Sequence, residues 1–155
     1  MKDAAIVPST TATLFTIGFK GRSAEDFFET LRKAGVVRVV DVRLNNGSQL
    51  AGFTKKRDLD YFLRTIADIQ YIHEPQFAPT KEILSGYRNK QLPWEEYEQR
   101  FLVTLQQRDP AKRFTLQDFD RACLLCSEPS AEHCHRRLVA EYLKGIWEAL
   151  TIQHL

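Results

Sequence analysis

Between Ala122 and Arg137 the chain places Cys123, Cys126, Glu128, Cys134, His135, Arg136 and Arg137 in one short window. All three cysteines lie there, with two of the four histidines, His133 and His135. Thiols, an imidazole, a carboxylate and guanidinium groups are the components of nucleophilic catalysis, metal ligation or anion binding. Cys123 and Cys126 form a C-x-x-C pair, which taken alone reads as a zinc knuckle or a redox couple. The run Ala122-Cys123-Leu124-Leu125-Cys126 is apolar, however, and reads as a buried strand. Residues three apart on a strand point to opposite faces. Cys123 is then a small core side chain, and Cys126 stands at the strand's mouth.

The Glu128-Pro129-Ser130 turn leads to a helical pattern from about Ser130, with Leu138, Val139, Tyr142 and Leu143 turned inward. Cys134 is expected in the first turn of that helix, where unpaired amides and the helix dipole favour a thiolate and an anion. Cys126 or Cys134 is the candidate nucleophile, and His135 and Glu128 are the candidate acid–base groups. A carboxylate in a partly closed pocket at a strand end can be raised toward neutrality. A plainer reading has Cys134 and His135 packing the loop while the arginines pair with Asp41 or Glu128. Cys126, Cys134 and His135, with His73, are also acceptable ligand types for zinc or iron, but their spacing fits no standard zinc motif. No metal ligand is therefore assigned, and the cofactor is left unknown.

These groups need elements to bring them together. Leu14-Phe15-Thr16-Ile17 reads as a strand stopped by Gly18. Ser23 is a good N-cap for a helix carrying Phe27, Phe28 and Leu31, with Asp26 at the capping-box position and Gly35 as its stop. Val36 to Val42 is β-branched and almost wholly apolar, as expected of a strand covered on both faces of a parallel sheet. Strand, helix and strand in this order make a βαβ unit. Arg43 to Phe53 is a polar loop, Leu59 to Ile66 a helix, and Ile69 to His73 a third strand. Thr80 caps a short helix to Arg88, and Pro93 sits at the first helical position of a longer one bearing Trp94, Tyr97, Phe101, Leu102 and Leu105. Leu150 to Leu155 supplies a last strand. The fold class expected is α/β: a single three-layer domain over residues 13–155, with a mostly parallel sheet of about five strands flanked by helices. Residues 1–12 form a flexible N-terminal arm.

In open parallel sheets ligands bind beyond the carboxyl ends of the strands. The ends here carry Gly18 and Lys20, Asp41 and Arg43, His73, and Cys126 with Glu128. Asp41 and Arg43 lie two apart and point the same way, suited to an ion pair or to holding substrate. Lys20, Arg22, Arg43 and Arg136 would make such a pocket cationic and its ligand anionic. Lys55-Lys56-Arg57 beside Phe53 reads first as a solvated helix start, and otherwise as a guide for a nucleic-acid backbone.

Composition sets outer limits. A chain of 155 residues, 43% hydrophobic and 27% charged, can bury its own core without disulfides or structural metal. Its net charge of +2 is too small to mark a nucleic-acid binder. An odd number of crowded cysteines and the lack of an apolar leader over Met1–Thr13 point to reduced thiols, a cytoplasmic location and no membrane association. Neither a phosphate-cradling glycine loop nor a dinucleotide fingerprint is present.

Taken together, Thr16-Ile17-Gly18, Asp41-Val42-Arg43, Tyr71-Ile72-His73, Cys126-Ser127-Glu128 and Cys134-His135-Arg136 resemble, in order, the motifs of the DUF488 family. The likeness runs from about Thr13 to Leu155. Where many members carry Pro-x-Ser after the Asp-Val-Arg motif, this chain has Leu44-Asn45-Asn46-Gly47-Ser48-Gln49, the mark of a subgroup. The resemblance brings no established reaction. The residues themselves point to a hydrolase or transferase for an anionic small molecule, nucleotide-like, or for nucleic acid. Cys126, Glu128, Cys134 and His135 would do the chemistry, and Gly18, Lys20, Asp41, Arg43, His73 and Arg136 would hold the ligand. The alternative is a non-catalytic nucleotide or nucleic-acid binding module in which only the arginines act, with or without a Cys/His metal site.

Overall fold

Alternation of side chains along the strands decides how the layers form. A computed structural model describes residues 11–47 and 52–155. Its strands are β1 (Ala12–Gly18), β2 (Arg38–Asp41), β3 (Gln70–His73), β4 (Ala122–Cys126) and β5 (Leu150–His154). The helices are α1 (Ala24–Ala34), α2 (Lys56–Ala67), α3 (Lys81–Arg88), α4 (Trp94–Arg108) and α5 (His135–Ile146). The sheet runs β3-β2-β4-β1-β5, and every pairing is parallel. Phe15, Ile17, Val39, Cys123 and Leu125 face one layer, built from Phe27, Phe28 and Leu31 of α1 and Leu59 and Leu63 of α2. Leu14, Val40, Leu124 and Cys126 face the other, built from Ile83, Phe101, Leu105, Leu138 and Leu143 of α3 to α5. This is the expected three-layer α/β domain. Right-handed crossovers put the helices of the outward journey β1-β2-β3 on one face and those of the return on the other. Each fully buried Leu or Phe contributes roughly 1.5–3 kcal/mol to holding the layers.

Ser23 accepts the Asp26 amide at 3.0 Å, and Gly35 closes α1 in the left-handed region at φ 77°. Asp26 pairs with Arg22 at 2.9 Å, the partner its carboxylate takes in this fold. Thr80 caps α3 through the Ile83 amide, as its sequence position implies.

Several boundaries differ from the sequence reading. β1 begins at Ala12, before the apolar run, because Ala12 pairs with Leu150. Residues 1–10 of the expected arm, and residues 48–51 of the Arg43–Phe53 loop, lie outside the described residues. β2 is shorter than Val36–Val42, since Val37 is exposed and the ladder starts at Arg38. Pro93 is the N-cap of α4 rather than its first helical residue. The largest correction concerns α5, which starts at His135 and not near Ser130. The Ser130 hydroxyl accepts the Glu132 amide at 3.2 Å, a local turn that competes with helix and keeps 127–134 as a loop. Cys134 is therefore the extended N-cap residue of α5, not a member of its first turn.

The register aligns the strand ends. Gly18 lies opposite Cys126, and Asp41 lies opposite both Leu125 and His73. β4 is the middle strand, and the chain leaves it toward the face opposite to that taken by the chain leaving β1 and β2. The crevice that parallel sheets offer to ligands opens there.

Candidate functional site: a cysteine–histidine cleft

Cys126 ends β4 and is 5% exposed. His135 opens α5 and is also buried, with its Nε2 2.7 Å from the Val42 carbonyl oxygen. A carbonyl can only accept, so the proton sits on Nε2 and the Nδ1 lone pair is free. Nδ1 lies 3.4 Å from Cys126 Sγ. The residue after β2 thus sets the tautomer that turns the unprotonated nitrogen of His135 toward the thiol. The Cys134 thiol lies within 4.8 Å of Cys126 Sγ, and the main-chain amides of Ser127 and Glu128 follow that residue at the strand end.

These contacts act on proton affinity. The Cys134 hydrogen bond holds Cys126 below the ordinary thiol range against the opposing effect of burial, helped by the two amides and the Arg136 charge. The same hydrogen bond, with burial, pushes Cys134 up. Burial pushes His135 down, so the imidazole is neutral at neutral pH and able to take a proton. Cys123, in the opposite layer, is pushed up by burial and belongs to the core, as the strand period implies.

Arg136 stands behind the cysteines, 1% exposed. Its Nη1 donates to the Glu128 carbonyl oxygen at 2.5 Å and to Cys134 Sγ at 3.4 Å, and its Nε donates to the Thr16 hydroxyl at 3.3 Å. No carboxylate pairs with it among the described residues. Thr16 also contacts His154 Nδ1 at 2.6 Å, which brings the last strand into the network. Gly18 is required by close approach, because a Cβ there would stand 1.6 Å from the Glu128 oxygen. Gly18 and Arg136 together shape the Cys126-Ser127-Glu128 turn.

Arg43 and Asp41 form a second buried unit. Arg43 Nε and Nη2 each meet an Asp41 oxygen at 2.9 Å, Nη2 also reaches the Thr54 carbonyl, and Tyr71 donates to Asp41 at 2.5 Å. The guanidinium lies over the Phe19 ring at 5.3 Å. Among the described residues, the buried Arg43 Nη1 has no hydrogen-bond partner. Arg22 is tied to Gly18 O, Leu155 O and Asp26, and so braces the end of β1.

A cleft of about 100 Å³ lies over the sulfur and is lined by Arg43, Cys126, Glu128, Cys134 and His135. Gly18, Asp41 and Arg136 stand behind this lining. The Glu128 carboxylate is half exposed and pairs with Lys20 at 3.2 Å, at the rim rather than in a closed pocket. His73 donates to the Arg43 carbonyl oxygen and opens onto a separate depression beside Lys55, Lys56 and Arg57.

The sequence reading missed the other wall. Tyr87, Arg88, Trp94, Tyr97 and His133 also line the cleft. Trp94 stacks on Tyr97 at 4.9 Å and on His133 at 4.9 Å. Arg88 is exposed and has no ion-pair partner among the described residues. The available signal was the density of aromatics over 87–97, which helical spacing also explains as core.

Cys126, Cys134 and His135 are the one compact His/Cys/Asp/Glu group among the described residues, their donor atoms lying within 4.8 Å of one another. A soft ion would accept such donors. Arg136, 3.4 Å from one of the sulfurs, already supplies positive charge at that place.

The sequence model of the family described as "Domain of unknown function DUF488" matches residues 23–143. The chain belongs to the DUF488 family. The matched span of this DUF488 domain includes Asp41, Arg43, Cys126, Glu128, Cys134, His135 and Arg136, while Gly18, Lys20 and His154 fall outside it. No curated protein and no solved structure matches the chain. Among the described residues, no helix is long and apolar enough to cross a membrane.

Proposed function

We propose that this DUF488 domain is a thiol-dependent hydrolase or transferase acting on a small anionic substrate, nucleotide-like in carrying a flat group. One observation carries the reading: the Val42 carbonyl fixes the protonated nitrogen of His135, so that the other faces Cys126 Sγ at 3.4 Å. A nucleophile within reach of a base that a third group orients is the recurring arrangement of covalent catalysis. Cys126 would attack the electrophilic centre while His135 Nδ1 takes its proton, then returns it to the leaving group. Arg43 and Arg136 provide the positive field beside the sulfur, and Arg88 at the rim meets the incoming anion. The stacked Tyr97, Trp94 and His133 rings supply a flat apolar wall. Glu128, tied to Lys20, serves at the rim. Three free, buried cysteines fit a reducing cytoplasm.

Alkylation by iodoacetamide across pH tests the reading. Cys126 is expected to react first, with a rate that titrates below that of an ordinary thiol, and Cys126→Ser removes this reaction together with turnover of an ester or phosphoester substrate panel. Ordinary alkaline titration of Cys126 would overturn the mechanism. Full function in Cys126→Ser would leave the binding-module reading in its place.

A further inference from the structure

Cys134 packs in the core on the same face of the sheet as Cys126. Its sulfur lies within 4.8 Å of the reactive one, and both side chains line the same cleft. Cys123, by contrast, packs in the layer on the far face of β4. The donor atoms of Cys126, Cys134 and His135 fall within 4.8 Å of one another, so joining the sulfurs at the disulfide length of about 2.05 Å asks for a movement of at most roughly 3 Å. Cys134 is the extended N-cap residue of α5, at the end of the loop that follows β4.

We propose that Cys126 and Cys134 form a dithiol–disulfide couple that reduces hydroperoxides. The proposal rests on the reading of Cys126 as the reactive thiolate. Cys126 sulfur attacks one peroxide oxygen; an S–O bond forms, the O–O bond breaks, the sulfur gives up two electrons, and the departing alkoxide or hydroxide takes a proton from imidazolium His135. The product is a sulfenic acid at Cys126. Cys134 sulfur then attacks that sulfur; the S–S bond forms, the S–O bond breaks, and the leaving hydroxide departs as water with the Cys134 proton. An external dithiol returns the couple to its reduced state by exchange. Cys134 acts as the resolving group, and its adjacency keeps Cys126 from the irreversible sulfinic state. The cleft admits a small peroxide. Arg136, against Cys134 and fixed by the Glu128 carbonyl, stabilises each thiolate in turn.

The test treats the full chain with one equivalent of hydrogen peroxide, then counts thiols after denaturation and maps peptides without reduction. The expected result is loss of two of the three thiols, a Cys126–Cys134 cross-linked peptide about 2 Da lighter than the sum of its parts, and recovery with dithiothreitol. Cys134→Ser, or Cys134→Ala if the serine variant folds poorly, is expected to accumulate a sulfenic acid at Cys126 that dimedone traps. Cys123→Ser is expected to behave as the native chain. Retention of all three thiols, or oxidation of Cys126 with no cross-link in the native chain, overturns the couple. If Cys126 still alkylates readily in that outcome, the thiol reading stands and the couple alone fails; if Cys126 is also inert to iodoacetamide, both fail.

Discussion

Arg136 Nη1 is bonded to the main-chain oxygen of Glu128, whereas the Glu128 carboxylate turns out to Lys20. The buried cation therefore serves the turn and the sulfurs behind it, and its charge is not cancelled by a neighbouring acid. Replacing it with methionine removes a field that favours thiolate and leaves the Glu128 carbonyl without its donor. Arg136→Met is expected to move the titration of Cys126 alkylation upward and to cost about 1–3 kcal/mol of stability. The pH dependence of the alkylation rate and a urea titration measure the two effects separately.

Gly18 is the tightest point of the site. A methyl group there meets the Glu128 backbone, which cannot rotate away as a side chain could. Gly18→Ala is expected to lose about 1–3 kcal/mol or more and to displace the Cys126-Ser127-Glu128 turn. Thermal unfolding with alkylation kinetics would register both changes, while Gly47→Ala, where a Cβ meets nothing within 4 Å among the described residues, is the neutral comparison.

The buried pair Asp41–Arg43 separates two magnitudes. Asp41→Asn strands a guanidinium that is 3% exposed, and breaking a buried pair on one side costs about 3–5 kcal/mol. Tyr71→Phe removes one hydrogen bond to the same carboxylate, along with the acceptor of the Asn46 amide, and is expected to cost only about 1.5–3 kcal/mol, as for a bond to a charged group. Chemical denaturation of the two variants should preserve that order.

Burial depresses both His135 and His154 below the ordinary imidazole value of 6.5. Once pH drops under that value, the unfolded chain binds protons that the folded chain refuses. Stability is therefore full above pH 6.5 and is lost as pH falls toward the depressed values. Urea midpoints measured at intervals from neutral to mildly acidic pH should decline, and His154→Asn should reduce the slope. A midpoint that stays level over this range would contradict neutral burial of the two rings.

Period-two alternation is enough to separate Cys123 from Cys126 in the sequence alone, and the βαβ pattern places Asp41, His73, Gly18 and Cys126 at one sheet edge. The pairing of Arg43 with Asp41 was legible for the same reason, since residues two apart share a face. What could not be read was partnership across long separations. Helical spacing makes Tyr97 and Phe101 alike, yet Tyr97 lines the cleft whereas Phe101 lies deeper, its ring edge-on to His135. Trp94 and His133 meet only because the loop after β4 folds back over the start of α4. The late start of α5 was hidden by one hydroxyl, Ser130, which serves a local turn where its type would equally suit a helix cap.

The order β3-β2-β4-β1-β5 has a consequence for synthesis. β1 and β2 are made first but never touch in the finished sheet; the slot between them is filled by Ala122–Cys126, more than a hundred residues after Ala12. Until that segment leaves the ribosome and inserts, Val42 has no imidazole to orient, and Cys126 has no place at the sheet edge. Pairings of such long range form late and slowly. The meeting of Cys126 with His135 is therefore one of the last events of folding, together with the strand that completes the sheet.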